Sequence, residues 1–233
     1  RDKLLNKLES TTSSKDKILV IGDSVAEDLF MLLKFDNELQ TSFIDYDLKK
    51  YSFQNKNEEK LKYLISDIIN YINNENVTNI LVSYHYTPRD YDEQLNHFIS
   101  FVNILKDYGI PIIYVRGSPV FVQDKNNYLS HRAISLKIID SSDAKLSVSQ
   151  IEKIAYQKID ENYFKTAKKI YVKLDENNIK SFDLFDFFCD LNASKCQIVD
   201  KFYKSYYMDN FHLSKNFIKF FSKKIKLMNI LSK

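Results

Sequence analysis

Long apolar runs are missing from this 233-residue chain; the longest stretches span only a few residues, as at Ile110–Val115. A bilayer-crossing helix needs about 20 such residues, so none is expected. Strong charge of one sign is missing too. Lys plus Arg is 34 and Asp plus Glu is 31, a net charge of +3 with no arginine-rich stripe, so no nucleic-acid partner is expected. The two cysteines have no nearby histidine pair and cannot complete a zinc shell, so no metal is expected. The start at Arg1 shows no signal peptide, and the chain reads as an excised or processed piece. There are three glycines, three prolines and four histidines, so each carries more information than usual. The 17 Phe and 16 Tyr without a Trp reflect biased base composition and carry no functional reading.

What is present is an alternation of buried strands and amphipathic helices. Residues 1–16 read as a linker, with the run Ser10–Ser14, and residues 17–233 as a single domain. Lys17–Ile21 predicts a strand ending in Gly22-Asp23-Ser24, and Val25–Phe35 a helix with Ala26, Leu29, Phe30 and Leu33 on one face. Further strands are predicted at Ser42–Tyr46, Asn79–Ser83, Ile110–Val115 and Phe182–Phe187. Helices are predicted at Glu58–Asn74, Tyr91–Tyr108, Gln150–Tyr171 and Lys215–Leu231. Phe121–Val148 reads as a surface excursion. The pattern predicts an α/β fold, a three-layer α/β/α sandwich around a parallel sheet of about five strands, without a repeat or second domain.

Sites in such sheets form at the carboxyl ends of strands. Gly22-Asp23-Ser24 occupies one such end, where glycine permits a tight turn and the following helix aims its N–H groups at Ser24. Those donors favour a developing oxyanion; the plainer reading is that Asp23 or Ser24 caps the helix. A second cluster is Asp209-Asn-Phe-His212-Leu-Ser214. Serine needs a base, histidine titrates near neutrality, and a carboxylate on its other nitrogen fixes the tautomer. The plainer reading is an exposed loop histidine, with Ser214 capping the last helix.

Gly-Asp-Ser after the first strand and Asp-x-x-His-Leu-Ser before the last helix together resemble the SGNH (GDSL-type) hydrolase superfamily, whose sheet is flavodoxin-like. The resemblance implies Ser24 as nucleophile, His212 as general base, Asp209 as its orienter and the Ser24 N–H as an oxyanion-hole donor. Asp23 supports the turn. The chain departs from the family in two places. Asp45–Asn57 contains no glycine, and Ser83-Tyr-His-Tyr-Thr87 stands where Gly-x-Asn-Asp is usual. A hydroxyl, imidazole or backbone group of that segment would replace the asparagine, with Ser83 and His85 as pocket candidates.

The C-terminal part is similar to the SGNH domains fused to acyltransferase-3 membrane proteins, which O-acetylate bacterial surface polysaccharides. Phe182–Cys189, Cys196, Tyr207–Ser214 and Ile112–Val120 carry that likeness. It implies a polysaccharide acceptor, a membrane-embedded acyltransferase domain in the same polypeptide and a periplasmic or extracellular address. It implies no cofactor. In an oxidising compartment Cys189 and Cys196 are expected to form a disulfide rather than remain core thiols. Two other readings stay open: a free-standing carbohydrate or lipid esterase, and a degenerate domain that binds glycan without chemistry. His97 reads as structural, His131 and Arg132 as candidate acceptor contacts, and the lysines after Lys215 as the solvated face of a packed helix.

Overall fold

Strands that are apolar on both faces require cover on both sides, and this chain places helices between its strands. The computed structural model describes residues 17–34, 39–45, 58–84, 91–116, 146–159, 161–207 and 212–221. In order they form β1 (Lys17–Gly22), α1 (Ser24–Lys34), β2 (Gln40–Asp45), α2 (Glu58–Glu75), β3 (Asn79–Ser83), α3 (Tyr91–Lys106) and β4 (Ile112–Arg116). Then come α4 (Val148–Gln157), α5 (Glu161–Glu176), β5 (Lys180–Asp183), α6 (Phe185–Phe188), β6 (Cys189–Asp190), β7 (Lys195–Cys196) and α7 (Lys215–Phe221). Two compact units divide the chain: Arg1–Val115 with Lys169–Phe182, and Arg116–Lys168 with Asp183–Lys233.

The first unit holds a five-stranded sheet in the order β2-β1-β3-β4-β5. Strand β1 runs parallel to both β2 and β3, and β3 runs parallel to β4. This is the flavodoxin-like order, whose topological switch point lies between β1 and β3. Alternation sends Leu19, Ile21, Ile80, Val82, Ile112 and Tyr114 into one core layer with Ile68 and Ile72 of α2, Phe98 and Val102 of α3, and Ile170 and Leu174 of α5. No α1 residue belongs to that layer. Helix α1 instead buries Ala26, Leu29 and Leu33, at helical spacing, against β1–β3 on the opposite face. The α/β/α arrangement follows.

Glycine is so scarce that asparagine ends two helices. Asn76 (φ 51°) follows α2, and Asn178 (φ 52°) follows α5. In each case the next N–H reaches back five residues, Val77 to the Ile72 carbonyl and Ile179 to the Leu174 carbonyl. Asparagine tolerates this left-handed cap position better than most side chains.

The Gln150–Tyr171 stretch forms two helices, not one. At Lys158 the chain leaves helical geometry, its N–H bonding back to the Ala155 and Tyr156 carbonyls. Ser147 and Gln150 form a reciprocal capping box that starts α4. The expected strand Phe182–Phe187 also divides: β5 ends at Asp183, whose Oδ1 accepts the Phe185 N–H and starts the turn α6. Beyond α6 the chain runs as a narrow meander through β6, β7, the bridge Val199↔Ser205 and the bridge Tyr207↔Leu213. Phe188, Tyr206, Tyr207, Phe217 and Phe221 stack beneath it, with Phe188 4.4 Å from Phe217 and 5.6 Å from Tyr207. Each such buried ring contributes about 2–3 kcal/mol. Residues 1–16, most of 121–148 and the part of the predicted last helix after Phe221 lie outside the described residues.

Burial, and then the nearby Asp200 and Glu152 charges, push the Tyr206 hydroxyl up to about 12. The unfolded chain ionises this group from about pH 10. Stability from the neutral phenol is therefore complete below pH 10 and is lost as pH rises towards 12. Tyr206→Phe is expected to flatten the fall in Tm over that interval; an unchanged slope would contradict the buried phenol.

Candidate active site

The first site element is the turn that ends β1. Gly22 pairs with Ser83, the last residue of β3, across the switch point. At Gly22 φ is +152°, and a Cβ there would lie 1.8 Å from the Ser83 carbonyl oxygen and 2.7 Å from the Ala26 Cβ. Only glycine lets the two strands approach this closely. Asp23 then caps α1: Val25 N–H donates to Asp23 Oδ1 at 3.0 Å, and Ala26 and Glu27 N–H donate to its carbonyl at 2.9 and 3.1 Å. Of the two candidate caps, the aspartate takes the role. Ser24 is left exposed as the first helical residue, at the positive end of the helix dipole, while Val25 and Ala26 are buried.

Ser83 is fully buried at the carboxyl end of β3. At the end of β4, Arg116 is buried and donates to Asp183 Oδ2 at 3.0 Å, while the Leu184 N–H donates to the Arg116 carbonyl. Sequence reasoning passed over this pair. Its signal was a lone cation closing the otherwise apolar strand Ile112–Arg116.

His212 belongs to the second unit and is half-buried. The bridge Tyr207↔Leu213 closes the loop that carries it. Ser214, two residues on, holds the base of that loop. Its hydroxyl donates to the Ser205 carbonyl at 2.8 Å and accepts the Phe217 N–H at 3.3 Å, while its own N–H donates to the Tyr206 carbonyl at 2.8 Å. Ser214 therefore caps α7 and ties it to the preceding strand. Cys189 and Cys196 are disulfide-bonded across the β6–β7 pair, and the Gln197 N–H donates to the Phe188 carbonyl beside it. Asp209 and His85 lie outside the described residues. Ser24, Asp23 and Ser83 belong to the first unit. Among the described residues no group of three His, Cys, Asp or Glu side chains is placed to hold a metal ion, and no helix is long and apolar enough to cross a membrane.

The model of the family "SGNH domain (fused to AT3 domains)" matches residues 5–226. The chain belongs to this family. Among solved structures, this SGNH domain is similar to the periplasmic domain of a lipopolysaccharide acetyltransferase from Salmonella ser. Paratyphi A. The TM-score is 0.69 at 14% identity, over 95% of this chain and 85% of that one. At that identity the likeness speaks for the fold, the same α/β architecture. No curated protein matches the sequence.

Three substitutions, one of them a control, test how the SGNH domain builds its turn and loop. Gly22→Ala combines a strained φ with a forced strand separation and is expected to cost about 2–5 kcal/mol in denaturant unfolding. Gly109→Ala, at φ +70° with nothing within 4 Å of the new Cβ, is the control; it is expected to cost about 1–2 kcal/mol. Equal losses would refute the close approach at Gly22. Ser214→Ala is expected to lose about 1 kcal/mol as a missing cap, and no loss would show that α7 starts without it.

Proposed function

We propose that this SGNH domain carries an acyl group on Ser24 and delivers it, as acetyl, to a hydroxyl of a bacterial surface polysaccharide. The observation that carries the reading is the placement of Ser24. It stands exposed at the start of α1, at the carboxyl end of β1, with the capping role taken by Asp23. The fusion named in the family's description supports a membrane-embedded acyltransferase domain in the same polypeptide as the acyl supplier. The name of the Salmonella protein supports acetyl as the group, a glycan as the acceptor and the periplasm as the compartment.

In the proposed cycle His212 takes the proton of the Ser24 hydroxyl as its oxygen attacks the acyl carbonyl. The tetrahedral oxyanion is met by the Ser24 N–H, at the positive end of α1. Its collapse expels the leaving group of the donor, which receives the proton from the imidazolium. A sugar hydroxyl then gives its proton to His212 and attacks the acyl-serine. The second collapse frees Ser24, which recovers the proton. Asp209 holds the imidazole in the tautomer that this requires. Water entering in place of the sugar would give ester hydrolysis by the same steps.

The test is acetylation of the acceptor polysaccharide by the full-length protein, with labelling by a serine-directed fluorophosphonate. Ser24→Ala is expected to abolish both, and His212→Ala to slow acyl transfer by about 10⁴-fold or more. Undiminished acetylation by Ser24→Ala would sink the reading. Turnover that added glycan does not accelerate would favour the esterase.

A further inference from the structure

Ser83 is 1% exposed, and among the described residues its hydroxyl has no hydrogen-bond partner. An orphaned buried hydroxyl is destabilising, and alanine would fill the same space without that penalty. Serine at this position is therefore unfavourable for the fold alone. Its location suggests a use. Ile80, Val82 and Tyr84 face the core layer built on α2 and α3, so alternation turns Leu81 and Ser83 to the other face, where α1 lies. The register sets Ser83 opposite Gly22, immediately before the Asp23–Ser24 turn. With no hydrogen bond holding it, the hydroxyl turns about χ1 between staggered positions without breaking one.

We propose that the Ser83 hydroxyl is the side-chain donor of the oxyanion hole, acting where this chain has no Gly-x-Asn-Asp asparagine. It rests on the reading of Ser24 as nucleophile. As the acyl carbonyl oxygen gains charge, Ser83 turns about χ1 and donates its O–H to that oxygen, alongside the Ser24 N–H. The proton stays on Ser83 throughout, so no bond to it is made or broken covalently. A hydroxyl shielded from water is well suited to this role, since no solvent competes for it before charge develops.

The experiment compares wild type, Ser83→Ala, Ser83→Cys and Ser24→Ala in the full-length protein, using p-nitrophenyl acetate turnover and thermal unfolding. Ser83→Ala is expected to lower kcat by about 10²–10³-fold with KM within about twofold. Its Tm is expected to be equal to wild type or higher, because the orphaned hydroxyl is gone. Ser83→Cys, a weaker donor of similar shape, is expected to fall between the two. If Ser83→Ala turns over within about threefold of wild type while Ser24→Ala is inactive, the Ser83 role falls and Ser24 stands. A drop in Tm that accompanies the loss of kcat would make Ser83 structural and also overturn the proposal. Wild-type turnover that does not depend on Ser24 would overturn both.

Discussion

The approach of β1 to β3 at Gly22 and Ser83 governs the first unit. A carbonyl oxygen occupies the space where any other residue would place its Cβ. That contact closes the sheet at its switch point and leaves the chain one short turn in which to enter α1. Asp23 satisfies the first free N–H groups of the helix, so the Ser24 hydroxyl is not consumed as a cap. Capping and nucleophilic chemistry ask for the same residue types at the same place, and here the aspartate caps while the adjacent serine stays exposed. The same register puts the Ser83 side chain on the side of the sheet where α1 begins.

Among the described residues of the second unit the strands are short, and His212 sits beside a single bridge. Single bridges at Val199↔Ser205 and Tyr207↔Leu213 supply little pairing by themselves. Packing and side-chain bonds supply the remainder. Asp200 Oδ1 accepts from the Phe202 and Lys204 N–H groups and fixes one turn, Asp190 Oδ1 fixes the turn between β6 and β7, and Ser214 binds three backbone groups at the loop base. The disulfide closes a loop so short that its chain-entropy gain is only about 2.5 kcal/mol. Its greater effect is local, since it lies next to Phe188, whose ring packs on Tyr207 and Phe217.

Much of this was legible from spacing. The strand before Gly22, the α1 stripe, and the elements through β4 follow from apolar period and turn residues, because in each the local pattern and the packing agree. The family resemblance was legible in two short motifs. Where the reading failed, the cause was local hydrogen bonding, of backbone or side chain, that pattern cannot show. The sequence around Lys158 contains no glycine or proline to mark the break between α4 and α5. The aromatic run after Phe182 has the composition of a strand, yet the bond from Phe185 N–H to Asp183 turns it into a helical turn. Asn76 and Asn178 show the same effect, as stops at positions where glycine was the expected signal. Ser83 was visible only as a member of an atypical segment; its orphaned hydroxyl is a property of the packed strand.

Arg116 and Asp183 form a charge pair within the second unit. Arg116 is buried and Asp183 only partly so, and a pair of this kind contributes little net stability. Such a pair enforces position more than it stabilises. Asp183 makes that enforcement directional: Oδ2 accepts from Arg116 at the end of β4, while Oδ1 accepts the Phe185 N–H and sets the start of α6. From α6 the constraint passes to Phe188, whose carbonyl accepts from Gln197 beside Cys196 and whose ring packs against Tyr207. Tyr207 bridges Leu213, the neighbour of His212. A charge pair, a capped turn, a disulfide and an aromatic stack thus form an unbroken set of contacts ending beside the histidine. Each link is short and specific, so the loop does not depend on an extended sheet to keep His212 in place.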